Sequence, residues 1–192
     1  MAETFLIVGL GNPGREYRET RHNVGFMLLD RLAVKLNARF TRLQSKALIA
    51  SGNYQERKII LAKPQTFMNL SGQSVQGLLH FYKLPLTNLL VVHDDLDLPL
   101  GTIRIRPDGG SAGQKGMTSI LERLGTDEFA RIRLGIGRPP GQMQAPDYVL
   151  QDFPSSEMTA LSETLNRAAE AALTFVGDGL NTAMNKFNGI VG

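Results

Sequence analysis

The apolar positions of the chain follow two rhythms, one of strands and one of helices. Thr4 to Gly9 (TFLIVG) is a short apolar run closed by glycine, which predicts a buried strand. Residues 10–21 are rich in glycine, proline and charge and read as a loop. From Val24 to Leu36 the spacing is helical, with Phe26, Leu29, Leu32, Ala33 and Leu36 on one side and Asn23 placed to cap the start. Two more strands are predicted around 46–51 and 58–62. After Pro64 a turn leads into a helix with Val75, Leu78, Leu79 and Tyr82 on one side. Asn88 to His93 (NLLVVH) is another buried strand, closing on the acidic run DDLD. Thr102 to Arg106 (TIRIR) alternates strictly, and Ala130 to Ile136 (ARIRLGI) is a further strand. Each places its two arginines on one face. Between them the glycine-rich loop Gly109–Gly116 precedes a helix at 117–124. GRPPG is a rigid turn, 156–175 a long amphipathic helix and 179–187 a short terminal one.

Strands that alternate with helices specify an α/β fold with a mixed, largely parallel twisted sheet covered by helices on both faces. The 192 residues suffice for one hydrophobic core and are short for two. No repeat, low-complexity tract or linker divides them, so residues 1–192 are expected to form a single domain.

Composition changes this picture in three places. The chain has no cysteine, which removes disulfides, thiolate metal sites and cysteine nucleophiles. The opening MAETFLIVGLGNPG carries Glu3 where an export signal needs basic residues, and no apolar run is long enough to span a bilayer. A soluble, cytoplasmic protein is expected. The net charge is +3, unevenly spread: Arg104 to Arg138 holds seven basic residues against four acidic ones. That stretch either meets an anionic partner or is simply a solvated face.

GLGNPG (Gly9–Gly14) matches G-x-G-x-x-G after a strand. A dinucleotide site needs a helix opening at those glycines, but REYRETRH has no apolar helical face. The run reads better as a tight loop at a strand's end that presents Asn12. The chain has three histidines, too few and too scattered for a metal site: no H-x-x-x-H or H-x-H occurs. For His22, in TRHNVGF, acid–base work on a water molecule remains, and it needs a carboxylate to fix the ring. Asp94, Asp95 and Asp97 (HDDLD) end a strand at the same sheet edge. Asp94, first after the buried run, is expected to face the site, or else to cap a turn. Asn12 and Asn69 are amides that can donate to a developing oxyanion or read a peptide backbone, or cap helices. Phe67 and Met68 are core or the floor of an apolar groove.

Taken together, GLGNPGREYRETRHNVGF, KPQTFMNLSGQSV, VVHDDLDLPLG, GGSAGQKGM and RIRLGIGRP stand in the order and spacing of the bacterial-type peptidyl-tRNA hydrolases, which the chain resembles from about Phe5 to Phe187. The resemblance implies a monomeric enzyme without metal or cofactor and without an obligatory protein partner. Its substrate would be peptidyl-tRNA, bound by the acceptor end and the peptide. Cleaving the ester between the two would recycle tRNA after translation aborts. It implies His22 as the general base on water and Asp94 as the residue that holds it active. Asn12 would help distinguish blocked from free aminoacyl groups, and Tyr17, Phe67 and Asn69 would contact substrate. Arg106 and Arg133 would grip the phosphate at the tRNA end.

One stretch departs from the family's pattern. Where the family commonly has G-H-N-G, this chain has Gly113, Gln114, Lys115 and Gly116. Gln114 can keep hydrogen bonds but cannot titrate, and Lys115 brings a point charge that could meet a phosphate. Both are carried as substrate-binding positions. This loop leaves room for a family member that has lost hydrolysis and binds RNA. A nucleotide-dependent oxidoreductase using GLGNPG is the rival from another class.

Overall fold

The computed structural model describes residues 2–189. Its strands are β1 (Thr4–Gly9), β2 (Arg42–Gln44), β3 (Ala47–Tyr54), β4 (Arg57–Pro64), β5 (Leu89–Asp95), β6 (Ile103–Arg106) and β7 (Ala130–Gly135). Its helices are α1 (Val24–Lys35), α2 (Ser71–Tyr82), α3 (Lys115–Leu124), α4 (Ala145–Val149), α5 (Met158–Asp178) and α6 (Leu180–Phe187). The strands form one sheet in the order β2-β3-β4-β1-β5-β7-β6. β1 pairs in parallel with β4 and β5, and β5 with β7, whereas β2–β3, β3–β4 and β6–β7 are antiparallel. Only β3 and β6 run against the other strands, so the sheet is mixed and mostly parallel.

Alternation along β1 divides the core into two layers. Phe5 and Ile7 face a layer with Leu28, Leu29 and Leu32 of α1, Ala168 and Ala172 of α5 and Phe187 of α6. Leu6 and Val8 face the other layer, with Val75 and Leu78 of α2 and Met117 and Ile120 of α3. Burying each such aliphatic side chain stabilises the fold by about 1.5–3 kcal/mol, which is why β1 is apolar at every position from Phe5 to Val8.

Several elements differ from expectation. The β2–β3 and β3–β4 connections are tight turns whose central residues, Ser45 and Lys46, then Gln55 and Glu56, all have positive φ. That is the backbone of a type I′ hairpin, adopted here without the Asn-Gly or Asp-Gly that usually marks it. The strands therefore run further toward their turns than the apolar pattern predicts, and the three-residue β2 leaves no trace in it. Nor does α4: five residues begun by Ala145 and Pro146 are too few to show a period. α3 begins at Lys115, two residues early, because Gln114 caps it. Asn23 does occupy the position before α1, but its side chain caps nothing.

Candidate active site

The winding of the sheet changes direction between β1 and β5. β1 leads through α1 toward β4, while β5 leads through β6 and α3 toward β7, and α1 and α3 lie on opposite faces. The carboxyl ends of these two strands therefore open a crevice, where ligands bind in open α/β sheets. Two glycines bring α1 against this edge. A Cβ on Gly9 would lie 2.3 Å from the carbonyl oxygen of Gly25, and one on Gly25 would lie 2.6 Å from the amide nitrogen of Leu10. The chain after Gly14 makes a single 3-10 turn, Arg15–Tyr17, so the glycines of GLGNPG serve close packing and start no helix toward a pyrophosphate.

Asn12 follows β1 and is held from two sides. Its backbone N–H donates to Asn23 Oδ1 (2.9 Å), and its carbonyl oxygen accepts from Asn23 Nδ2 (2.9 Å). Its side-chain Oδ1 accepts from the backbone N–H of Met68 (2.8 Å). With the oxygen so occupied, Nδ2 is the atom Asn12 has left to offer the cavity it lines. Neither Asn12 nor Asn23 is a helix cap; tertiary bonds take both amides.

His22 sits in the 3-10 turn Arg21–Asn23 at the foot of α1. Its Nδ1 lies 2.8 Å from Asp94 Oδ2, and both side chains are buried. A carboxylate oxygen accepts, so Nδ1 carries the hydrogen and Nε2 the lone pair. The three aspartates take separate jobs. Asp95 is paired with Arg133 (Nε to Oδ2, 2.6 Å) and accepts from the backbone N–H of Asp97, while Asp97 pairs with Arg138.

A cavity of about 430 Å³ opens here. Asn12, His22 and Asp94 line it, with Phe67, Met68 and Asn69 on one side and Gly113, Gln114 and Lys115 on another. Ala145, Pro146, Val149 and Leu150 of the α4 region add an apolar wall. Phe67 is 59% exposed and Met68 is buried, so the first is a wall of the groove and the second its floor. Gln114 donates through Nε2 to Asp94 Oδ1 (3.0 Å) and accepts through Oε1 from the backbone N–H of Met117 (2.8 Å). Its polar atoms are thus used within the protein. Tyr17, Arg106 and Arg133 are not among the residues lining the cavity.

The basic stretch is less free than its sequence suggests. Arg131 is 1% exposed; it donates to the carbonyl oxygens of Gly109, Gly110, Asp127 and Phe129, and burial pushes its pKa down. Arg131 is a latch under the glycine-rich loop and is no anion contact, although it shares a face with Arg133. With Arg131 spent on carbonyl oxygens and Arg133 and Arg138 paired, Arg104, Arg106, Lys115 and Arg123 are the remaining cations of this stretch, without a carboxylate partner among the described residues. His93 is buried, which lowers its pKa, and its Nδ1 lies 2.8 Å from the carbonyl oxygen of Asp94.

A family model described as peptidyl-tRNA hydrolase matches residues 6–191. The chain belongs to the peptidyl-tRNA hydrolase family. It is 50% identical over 185 residues to a protein named peptidyl-tRNA hydrolase from Thermoanaerobacter sp., a match covering 96% of this chain and all of the relative. To the one from Carboxydothermus hydrogenoformans it is 51% identical, covering 96% and 98%. The crystal structure of peptidyl-tRNA hydrolase from Acinetobacter baumannii superposes with a TM-score of 0.92 at 34% identity, covering 99% of this chain and 97% of that one. The oxidoreductase alternative has no support in these likenesses.

Besides the apolar wall, two supporting residues had no functional role in the sequence reading, and both flank His22. Asn23 braces Asn12, as above. Arg21 is buried; its Nη1 lies 2.5 Å from Glu157 Oε1, and its guanidinium stacks 4.4 Å from the Tyr148 ring. Its backbone N–H donates to the carbonyl oxygen of Gln151 (2.9 Å). Arg21 thereby ties the His22 turn to the segment forming the apolar wall. Adjacency to His22 was the only signal either residue gave.

Proposed function

We propose that this chain hydrolyses the ester joining a peptide to tRNA with His22 as the general base, held by Asp94, and water as the nucleophile. The carrying observation is the buried His22–Asp94 pair at a cavity that Asn12 also lines: with Nδ1 engaged by the carboxylate, Nε2 is the nitrogen left to act on a water there. Nε2 takes a proton as the water oxygen attacks the ester carbonyl. The tetrahedral oxyanion is met by Asn12 Nδ2, with Asn69 as a second donor. The carbon–oxygen bond to the ribose then breaks, and the imidazolium returns the proton to the leaving ribose oxygen. The products are a free tRNA hydroxyl and a peptide carboxylate. Base catalysis of this kind is worth about 10²–10⁴-fold, and an oxyanion donor about 10²–10³-fold.

The apolar wall and Phe67 suit the peptide side of the substrate. Tyr17, Arg106, Lys115 and Arg133 are assigned to the tRNA side, where contacts are to backbone and shape more than to base sequence. The enzyme is read as a monomer acting in the cytoplasm, where its substrate arises. Among the described residues no helix is long and apolar enough to cross a membrane.

The test is release of free tRNA from an N-blocked aminoacyl-tRNA by wild type and His22→Ala, with chelator present. Turnover by the wild type that falls at least about 10²-fold in the variant is expected. Wild-type protein that binds tRNA without turnover would replace this reading with an RNA-binding one, for which the Gln114-Lys115 departure is the sequence ground.

A further inference from the structure

Asp94 has two oxygens, and only one of them is explained by His22. Oδ2 faces His22 Nδ1, while Oδ1 receives Gln114 Nε2 at 3.0 Å. We infer that Gln114 is a positioning residue for the reaction: it fixes the Asp94 carboxylate in the rotation that holds the His22 ring.

The geometry that makes this work is the double use of one amide. Gln114 stands at the N-cap of α3, with its own backbone extended (φ −76°, ψ 121°). Its Oε1 accepts from the N–H of Met117, one of the orphan donors of the first helical turn. An amide whose oxygen is committed must present its nitrogen on the other side, and that side holds Asp94. The helix cap therefore decides which way the donor points. The neighbours leave the side chain little other room. Gln114 is 7% exposed, and its Nε2 also lies 3.2 Å from Met68 Sδ. A Cβ on Gly116 would stand 2.7 Å from Met68 Sδ and 3.0 Å from Gln114 Oε1, so any larger residue there would have to push these side chains aside.

Without Gln114, nothing in the hydrogen-bond pattern of the described residues holds Oδ1. A carboxylate hinged on one bond can swing about its χ2, and the imidazole it carries loses its fixed direction. Because an amide does not titrate, Gln114 gives this support without adding a proton-binding group to the site.

This inference rests on the His22–Asp94 reading and deepens it, so the experiment must separate the two. Two variants do so. Gln114→Ser retains a good N-cap, because a serine hydroxyl reaches the third N–H of the helix, but it is too short to touch Asp94. Gln114→Met keeps the shape and removes both bonds. Each is assayed beside wild type and His22→Ala for kcat and KM on N-blocked aminoacyl-tRNA. Melting temperature and the downfield proton resonance of His22 Nδ1–H are recorded as well. In both Gln114 variants kcat is expected to fall about tenfold to a hundredfold with KM nearly unchanged, as for other partners that orient a reacting group from behind. The Nδ1–H resonance broadens or disappears in both, and only Gln114→Met melts earlier. A Gln114→Ser protein with wild-type kcat and an intact resonance would overturn the inference and leave Gln114 a helix cap alone. Should the serine variant not fold, wild-type kcat in Gln114→Met would do the same. If instead His22→Ala turns over like wild type, the base assignment fails before Gln114 is in question.

Discussion

Arg21, His22 and Asn23 follow one another, and their side chains go three ways. His22 reaches Asp94 across the sheet edge, Arg21 reaches Glu157, and Asn23 turns back to clasp the backbone of Asn12. A 3-10 turn spreads three successive side chains about 120° apart, which is what such a divergence requires. The clasp links the proposed base to the amide that would meet the oxyanion. Asn23→Ala leaves a buried N–H and a buried carbonyl of Asn12 without partners, at about 1–3 kcal/mol each. We expect a lower midpoint in urea denaturation and a drop in kcat larger than any change in KM. Asn23→Asp keeps the acceptor for Asn12 N–H but turns a carboxylate oxygen toward the Asn12 carbonyl. It should be impaired in kcat too, and equal kcat in all three proteins would remove Asn23 from the site's machinery. At this scale the sequence was informative about identity and, outside one pair, mute about partners. His22 and Asp94 could be paired because both end up at one sheet edge. The role of Asn23 could not be read, because an asparagine before a helix has a local use that is common and a distant one that is not.

At the scale of elements, the chain was most legible where burial sets the pattern. β1 and β5 stand close to expectation because both faces of each strand enter the core, which leaves a continuous apolar run, and α5 because every third to fourth residue must do so. It was least legible where the backbone, not the side-chain pattern, decides. The two hairpin turns without glycine, and the five-residue α4, belong to that class. Arg131 shows a third limit. Alternation puts Arg131 and Arg133 on the same face, yet one is sealed under a loop and the other reaches Asp95. The difference lies in the carbonyl groups of residues 109 and 110, which sequence periodicity does not place. Arg131 joins β7 to the loop that carries Gln114 and Lys115, so its loss acts on an element as a whole. Arg131→Met removes the donor from four carbonyl oxygens in a buried setting. A destabilisation of at least about 3 kcal/mol is expected, read as a shift in urea midpoint at constant m-value. Little change in stability would mean that the loop is held by other contacts.

For the molecule as a whole, the question is which cations remain to meet a polyanion. The net charge of +3 overstates the local supply and hides its place. Arg131 is spent on carbonyl groups, and Arg133 and Arg138 are matched by aspartates from the end of β5 and just beyond it. Arg106 on β6 and Lys115 at the cavity rim are both exposed and have no carboxylate partner among the described residues. Contacts to phosphate release counterions, so each one lost should lower the slope of log Kd against log salt by about 0.7 for single-stranded and 0.9 for duplex RNA-like sites. The binding of N-blocked aminoacyl-tRNA to a His22→Ala background isolates this from turnover. Arg106→Ala and Lys115→Asn are each expected to reduce the slope by up to about one such step, whereas Arg138→Ala should leave it unchanged because Asp97 already answers that charge. Arg133 is the informative intermediate: its pairing with Asp95 means that a phosphate must compete with a carboxylate, and its contribution should fall below that of Arg106. A slope unchanged by both Arg106→Ala and Lys115→Asn would place the tRNA on another face and return the basic stretch to the role of a solvated surface.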